Sequence, residues 1–507
     1  MASYDWIEIQ GPQDYDQLIE VLDPEFGPKK ISQHLKLEVT AAVKGVLVEH
    51  GYVDKDYRST FYNFYTKKGR QYRADCVRLH FFDGSVLYDD VKSDIKSTDE
   101  RPQDHYFGYI VLRPTIVATL GRSVLSPNIR LGAHGSAIQS PHTVNLLGHQ
   151  LPIWGFPSMA QHVDIAVCAH VACWAILRYY SETFPQHREY LVHDITQLVA
   201  PFDPGGLVPS LGFNVDGAER VFQASGCYPL VVGKCSSSSD EAFFSQMLAY
   251  LESGFPLFVA MHAEEHAIVA VGYSWLQKPI LPSSSSSHVW SQVDNFLAVD
   301  DNLLPYSTVT LNSTGTPSNT SNYTADSFDA FVVALPDKVY YPADAIEVFS
   351  KEVEDVVTRM CSSQTEPLQL RRYFITTISR LREDARVHHS QLGDTLVGLM
   401  MHLDTAQYVW VVEYCSFTQW QTAHVAARVI VDATASHWER YPMWLLHNGD
   451  VAYVFDRSSV EMNPTAIDLA RTGLGPLPRI ELNLRPVLES PAPLNTITET
   501  SELGGEK

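Results

Sequence analysis

Three side chains in the middle of the chain could act together in acyl transfer. Cys168 lies near the start of an apolar segment that predicts a buried helix over 166–180. A helix N-terminus favours the thiolate form of a cysteine. His266 begins an apolar run typical of a strand, and Asp300 ends the next one. If those strands are neighbours, the order predicts a thiol nucleophile, a base and a carboxylate that orients the base.

A fourth residue, Gln161, lies seven positions before Cys168 and could donate a hydrogen bond to an oxyanion. Cys173 is an alternative nucleophile, because Cys173-Trp174-Ala175 matches the Cys-Trp-Ala sequence that follows the nucleophile in papain. The sequence favours Cys168, since Cys173 falls well inside the predicted helix, where the effect of the helix dipole has faded.

The other two roles also have alternatives. Asp301 stands beside Asp300 and could orient the base instead. His262 is a weaker candidate for the base, because it falls at the end of a predicted strand and is separated from His266 by two glutamates. Taken singly, a buried cysteine, a strand histidine and a turn aspartate are ordinary structural residues. Their order and their placement at one helix start and two strand ends indicate a catalytic site.

The segment from 161 to 300 resembles the papain-like cysteine peptidases, and within them the C39-like branch. Cys168 to Leu177 keeps the length and register of that family's central helix. His266-Ala-Ile-Val-Ala-Val-Gly272 resembles its histidine strand, and Phe296-Leu-Ala-Val-Asp300 resembles its aspartate strand. The resemblance implies a domain made of a helix and an antiparallel sheet.

It also implies a role for each residue. Cys168 would be the nucleophile, His266 the base, Asp300 the orienting residue and Gln161 the oxyanion donor. The implied activity is cleavage of a peptide or isopeptide bond, with no metal or cofactor. One alternative on the same scaffold is a thiol acyltransferase or transpeptidase. Another is a catalytically inactive scaffold that binds a protein partner, because Ala169-His170 replaces the family's usual Gly-Pro after the cysteine.

A second resemblance lies near residue 410. Val409-Trp410 and the later Asp432-Ala-Thr434 resemble the end of a transglutaminase-like domain. Tyr408 stands at that family's histidine position, and no helix-start cysteine precedes it with suitable spacing. The pattern therefore favours antiparallel strands with facing aromatic pairs over a second catalytic site.

The order of elements predicts a multidomain α+β protein. We expect an N-terminal α/β section over 1–150 that is regulatory or partner-binding, and a papain-like domain over 151–340. A C-terminal section of helices followed by an antiparallel sheet would cover 341–489, and a disordered tail 490–507. Helices are predicted around 35–49 and 368–386, from apolar spacing.

Charge and cysteine content limit the function classes. Among the 507 residues, the acidic side chains outnumber the basic ones and give a net charge of −22. This balance argues against nucleic acid and anionic membranes as partners. The chain has no apolar run long enough to span a bilayer. Seven cysteines with no zinc-type spacing indicate a cytoplasmic protein, whose expected partners are a peptide or protein substrate and a regulatory protein.

Overall fold

The protein is described here by a computed structural model, and its described part is a mixed α+β protein built on three large sheets. The described residues are 3–83, 91, 102–115, 119–162, 167–199, 212–282, 287–311, 320–436, 439, 441–457, 464–471 and 473–488. The α-helices among them include Leu18–Val21, Pro28–Glu38, Lys55–Asn63, Cys168–Thr183, Val192–Val199, Val215–Ala224, Asp240–Glu252, Ala343–Glu352, Glu354–Met360, Ile378–Val387, His389–Leu392, Asp394–His402 and Phe417–Gln421. The expected tail, 490–507, lies outside the described residues.

The N-terminal section forms a seven-stranded antiparallel sheet. In spatial order its strands are Tyr4–Glu8, Val43–Tyr52, Cys76–Asp83, Tyr106–Leu112, Leu120–Leu125, His149–Ser158 and Ser140–Leu146. The sixth strand crosses the expected boundary at residue 150. The helix predicted around 35–49 is wrong, because helix Pro28–Glu38 ends early and 43–52 is a strand. The valines of that strand are β-branched, and Gly45 lets the Trp6 ring approach closely, so the segment suits a sheet.

The central section holds the second sheet. Its main strands in spatial order are Thr320–Thr324, Ser307–Thr310, Val293–Val299, His266–Trp275, Leu257–Met261, Ala330–Leu335 and Tyr228–Gly233. We call Val293–Val299 the Asp300 strand and His266–Trp275 the His266 strand. The helix Cys168–Thr183, here the Cys168 helix, packs across the His266 strand. Its middle is completely apolar and buried, which agrees with the predicted helix.

Two short strands from outside the central section extend its sheet. Gly135–Ala137 pairs with the His266 strand at Gly272 and Tyr273, and Arg485–Val487 pairs with the other edge of Gly135–Ala137. Gly272 is required at this point, because a Cβ there would lie 2.3 Å from the carbonyl oxygen of Ser136.

The third sheet has seven strands, six from the C-terminal section and one, Ser287–His288, from the central section. In spatial order they are Ser287–His288, Leu370–Thr377, Tyr408–Cys415, Ala427–Asp432, Met443–His447, Val451–Val454 and Thr465–Asp468. The helix predicted over 368–386 is wrong in its first half, because 370–377 is a strand. Its run of aromatic and β-branched residues favours a strand, and Thr377 then caps the helix Ile378–Val387 by accepting from Arg380 N.

Buried polar contacts join the three sections. Asp56 of the N-terminal section accepts from Trp174 Nε1 at 3.1 Å and from Arg178 Nη2 at 3.0 Å, both on the Cys168 helix. On the other side, Arg372 of the C-terminal section donates to Glu252 at 2.8 Å and to Glu413 at 3.0 Å. The sections are therefore attached to each other by charged groups as well as by apolar packing.

Among the helices that the structure describes, no segment has both the length and the apolar character that crossing a bilayer requires.

Candidate active site

Cys168 is the first residue of its helix. Val167 before it is extended, and its carbonyl accepts from the amides of His170 and Val171, so the helix begins at the cysteine. The Cys168 side chain is only partly buried. A thiol at this position faces the positive end of the helix dipole and the main-chain N–H groups of the first turn, which have no partners within a helix.

His266 and Asp300 meet at the end of two adjacent strands. The two strands are antiparallel, with Val269 opposite Val299, so the start of one lies beside the end of the other. His266 Nε2 lies 3.1 Å from Asp300 Oδ1 and 3.6 Å from Asp301 Oδ1. The strand pairing predicted from the sequence therefore places Asp300 closer to the histidine than Asp301.

Cys168 and His266 line the same cleft, and the thiol acts on the pKa of the imidazole. Burial lowers the pKa of His266, but its interactions with Asp300 and Cys168 and the negative charges of Asp300 and Asp301 outweigh it. The net result raises that pKa to about 10. The ring is therefore an imidazolium at neutral pH. A cation beside a thiol favours the thiolate, the nucleophilic form of cysteine.

The two carboxyl groups have opposite shifts. Burial acts to raise the pKa of Asp300, but the hydrogen bond and the charge of His266 lower it overall. Asp300 Oδ1 also accepts from the main-chain N–H of Asn302 at 2.9 Å. Burial and the neighbouring Asp300 charge raise the pKa of Asp301 to about 7. Asp300 is thus the permanently ionised partner of the imidazolium.

Tyr323 covers the histidine, and the sequence analysis missed it. Its ring centroid lies 5.3 Å from that of His266. Burial and the nearby Asp300 and Asp301 charges raise its pKa to about 12, so the phenol is neutral. A neutral aromatic ring limits the access of water to the His266–Asp300 hydrogen bond. Tyr323 stands in a Ser/Thr/Asn-rich stretch whose composition is typical of a loop, so no signal pointed to it.

A cleft of about 980 Å³ opens at Cys168 and His266. Gln161 lines the same cleft, and its main-chain carbonyl accepts from Arg113 Nη2 at 3.3 Å. Apolar wall residues include Phe213, Phe258 and Met261. The cleft brings the three predicted residues Gln161, Cys168 and His266 together, with Asp300 behind the histidine.

The alternative candidates differ in their surroundings: Cys173 lies inside the helix core, whereas His262 lines the same cleft as Cys168. Cys173 is completely buried in the helix core, and burial raises its pKa well above the ordinary range. His262 is exposed in the turn before the His266 strand, where its main-chain N–H donates to Asp329 at 2.5 Å. The geometry therefore favours Cys168 and His266 over both.

His266, Asp300 and Asp301 are also close enough to be compared with a cation site, since their ligand atoms lie within 4.8 Å of one another. An imidazolium, however, carries a proton on both ring nitrogens and has no lone pair for a metal. Nε2 is also engaged by Asp300. The cluster suits a protonated histidine between carboxylates better than a metal centre.

The second resemblance, in the C-terminal sheet, leads to a different arrangement. Asp432 ends its strand beside the start of the Tyr408 strand. Its Oδ1 accepts from the main-chain N–H and the hydroxyl of Thr434 at 2.8 and 2.6 Å, and its Oδ2 pairs with Arg457. This carboxylate holds a turn together.

No family model and no curated protein matches this chain. The assignment of the candidate site therefore rests on the residues of the chain itself.

Proposed function

We propose that the protein is a papain-like cysteine peptidase that cleaves a peptide or isopeptide bond. One observation carries the proposal: Cys168, at a helix N-terminus, lines one cleft with His266, whose Nε2 lies 3.1 Å from Oδ1 of the buried Asp300. Nucleophile, base and orienting group are thus in series, as thiol-dependent acyl transfer requires. The helix-plus-antiparallel-sheet architecture of the central section supports the same family.

The proposed reaction begins from the thiolate–imidazolium pair. Cys168 Sγ attacks the carbonyl carbon, and the C–S bond forms as the carbonyl electrons move to oxygen. The oxyanion is held by the main-chain N–H at the start of the Cys168 helix and by Gln161. The oxyanion then collapses and the C–N bond breaks, while His266 gives its proton to the leaving amine. The product is a thioester on Cys168.

The second half of the reaction restores the protein. Neutral His266 takes a proton from water, and the hydroxide oxygen attacks the thioester carbonyl. Collapse of the second tetrahedral intermediate releases the carboxylic acid and the Cys168 thiolate. Asp300 keeps the ring of His266 oriented in both its protonated and its neutral form, because its carboxylate faces Nε2 at 3.1 Å.

The test is labelling of the native protein with a thiol-reactive epoxide, mapped by mass spectrometry. We expect selective modification of Cys168 at pH 6 in the wild type and its loss in His266→Ala. His262→Ala is the matched control, because it removes a histidine that lines the same cleft but whose described contacts do not include Asp300. Labelling of Cys173 instead would move the nucleophile.

Equal labelling in wild type and His266→Ala would refute the proposed dyad and favour an inactive binding scaffold. Amide products formed from an added amine, in preference to hydrolysis, would identify the acyltransferase alternative on the same scaffold.

A further inference from the structure

The turn that follows Asp300 is attached to the N-terminal section. The main-chain N–H of Leu304 donates to Glu38 Oε2 at 2.8 Å, and the Leu304 side chain is buried in the apolar core of the N-terminal section. Two residues later, the hydroxyl of Tyr306 accepts from the main-chain N–H of Phe156 at 2.6 Å. Tyr306 has a φ of +66°, which is unfavourable for a bulky residue unless its surroundings hold it.

Glu38 is the centre of this attachment. It ends the helix Pro28–Glu38 and is buried, yet it accepts from three donors: His34 Nδ1 at 2.7 Å, Arg130 Nη1 and Leu304 N. Arg130 is also buried, with a relative exposure of 2%. A carboxylate this far from water keeps its charge only when such donors surround it.

Arg130 also interacts electrostatically with a residue of the candidate site. Burial lowers the pKa of Arg130, and the negative charge of Asp300 acts in the opposite direction, so the two groups lie within electrostatic range. The guanidinium thus acts on two carboxylates, since it donates to Glu38 and its positive charge interacts with Asp300.

A second ion pair in the N-terminal section shows that a buried pair there need not interact with the candidate site. Arg78 Nε donates to Glu49 Oε2 at 2.7 Å, with both side chains largely buried. The described partners of this pair are His80, Tyr52, Tyr109 and the carbonyl of Asn145, all within the N-terminal section. It is a buried glutamate–arginine pair like Glu38 and Arg130, but its described contacts do not include the 300–306 turn.

We propose that Glu38 and Arg130 are positioning residues for the candidate active site: they hold the 300–306 turn and so keep Asp300 against His266. This inference rests on the proposed function. It assigns the N-terminal section a role in positioning the peptidase site. The sequence alone predicts only that this section is regulatory or partner-binding.

The test compares two double variants of the full chain. Glu38→Leu/Arg130→Met removes the pair without leaving a buried unpaired charge, a replacement that is often neutral for stability. Glu49→Leu/Arg78→Met is the matched control. We measure the rate of Cys168 labelling between pH 5 and 9, the titration of His266 by NMR with selectively labelled histidine, and the melting temperature.

We expect the Glu38→Leu/Arg130→Met variant to label Cys168 roughly ten-fold more slowly at pH 6, as is common when an outer partner of a reactive group is lost. Its His266 should titrate at lower pH than in the wild type, because Asp300 is no longer held against the ring. The control should match the wild type in both. In the Arg130→Met background, Glu38→Gln should recover part of the labelling rate, since its amide oxygen can accept from Leu304.

An unchanged pH profile and an unchanged His266 titration in the Glu38→Leu/Arg130→Met variant would overturn the positioning role. If that variant does not fold, Tyr306→Phe removes the second attachment alone and should shift both readouts in the same direction by a smaller amount; no shift there would also overturn it. If the wild type shows no His266-dependent labelling, the proposed function fails, and the His266 titration alone decides the positioning role.

Discussion

The central and C-terminal sheets contain the same local pattern with different outcomes. In each, an aspartate ends one strand beside the start of its antiparallel neighbour: Asp300 beside His266, and Asp432 beside Tyr408. Asp300 faces an imidazole at 3.1 Å, whereas Asp432 accepts from the residues of its own turn and from Arg457.

The difference shows that the strand pair alone does not make a site. The central sheet has a third element, the Cys168 helix, whose first residue is a partly exposed thiol. In the C-terminal section the cysteines Cys361 and Cys415 are buried, and burial raises their pKa values to about 11 and 12. A strand-end carboxylate becomes part of a candidate site only where a helix start supplies the nucleophile.

Removing Asp300 should have the largest effect, because it takes away the carboxylate that pairs with His266 in the central sheet. We expect Asp300→Ala to slow epoxide labelling of Cys168 at pH 6 by roughly 100-fold, because His266 loses the carboxylate that stabilises its cationic form, and a cation beside a thiol favours the reactive thiolate. Asp300→Asn should lose less, since its amide oxygen still accepts from the ring. Labelling rates measured by mass spectrometry test both.

Asp432→Ala provides the control for this prediction. It should leave Cys168 labelling unchanged and lower the free energy of unfolding by about 1–3 kcal/mol, because the hydrogen bonds that hold its turn are lost. A large fall in labelling in this variant would mean that global destabilisation, and not the central strand pair, controls the thiol.

Two histidines should give the sheets opposite pH dependences of stability. The pKa of His266 is raised from its ordinary value of 6.5 to about 10, so its stabilising contribution is complete below pH 6.5 and disappears as the pH rises through about 10. His447 of the C-terminal sheet is buried, and burial and nearby arginines lower its pKa well below 6.5. Its contribution is therefore present above pH 6.5 and lost as the pH falls.

Denaturant unfolding of wild type, His266→Gln and His447→Phe between pH 5 and 10 measures these contributions. The difference between wild type and His266→Gln should shrink as the pH rises above 6.5, by at most about 1.4 kcal/mol per pH unit. The His447→Phe variant should instead be relatively most stable at low pH. Parallel curves for both variants would contradict the assignment of His266 as an imidazolium.

Substituting one cysteine from each section should separate effects on stability from effects on thiol reactivity. Cys415→Ala removes a buried side chain and should cost about 1 kcal/mol of unfolding free energy, without affecting the labelling of Cys168. Cys168→Ala should abolish labelling and leave stability within about 0.5 kcal/mol of the wild type, because the side chain is only partly buried. Denaturant midpoints and peptide mapping decide between these outcomes.

The smallest expected effect concerns the charge of the cleft, a feature that distinguishes the central sheet. Asp216, Glu265 and Asp329 line it and are exposed, against the opposite charge of Arg220. A cationic thiosulfonate reagent should therefore modify Cys168 faster than an anionic one of similar size. Glu265→Gln/Asp329→Asn should reduce that preference by roughly two- to three-fold, and added salt should do the same.

The charge control is Asp355→Asn, an exposed site on a helix of the C-terminal section. The preference should be unchanged in this variant. An equal preference for both reagents in the wild type would exclude an electrostatic role for the cleft rim.

Much of the candidate site was predictable, because its residues lie where local patterns are strong. The apolar run of the Cys168 helix and the apolar strands beginning at His266 and ending before Asp300 were all found, and the strand register follows from them. In the sequence, Gly272 only ends the motif of the His266 strand. In the structure it is the point where that strand pairs with Gly135–Ala137.

The missing parts depend on contacts between residues distant in sequence. Tyr323 stands over His266 because a strand from a polar stretch joins the sheet edge, and Glu38 reaches Leu304 across 266 positions. Neither contact has a local signal. The helix predicted around 35–49 and the first half of the helix predicted over 368–386 are wrong for a similar reason. Their apolar residues fit either a helix or a strand until a neighbouring strand selects one.

The pairing of Arg485–Val487 with Gly135–Ala137 affects the order in which the central sheet can be assembled during synthesis. The ribosome synthesises Gly135–Ala137, which pairs with the His266 strand, long before it synthesises Arg485–Val487. The last strand of the central sheet is therefore added only after both the Cys168 helix and the whole C-terminal sheet have been translated. Completion of the sheet that carries His266 therefore waits until residue 487 has been translated.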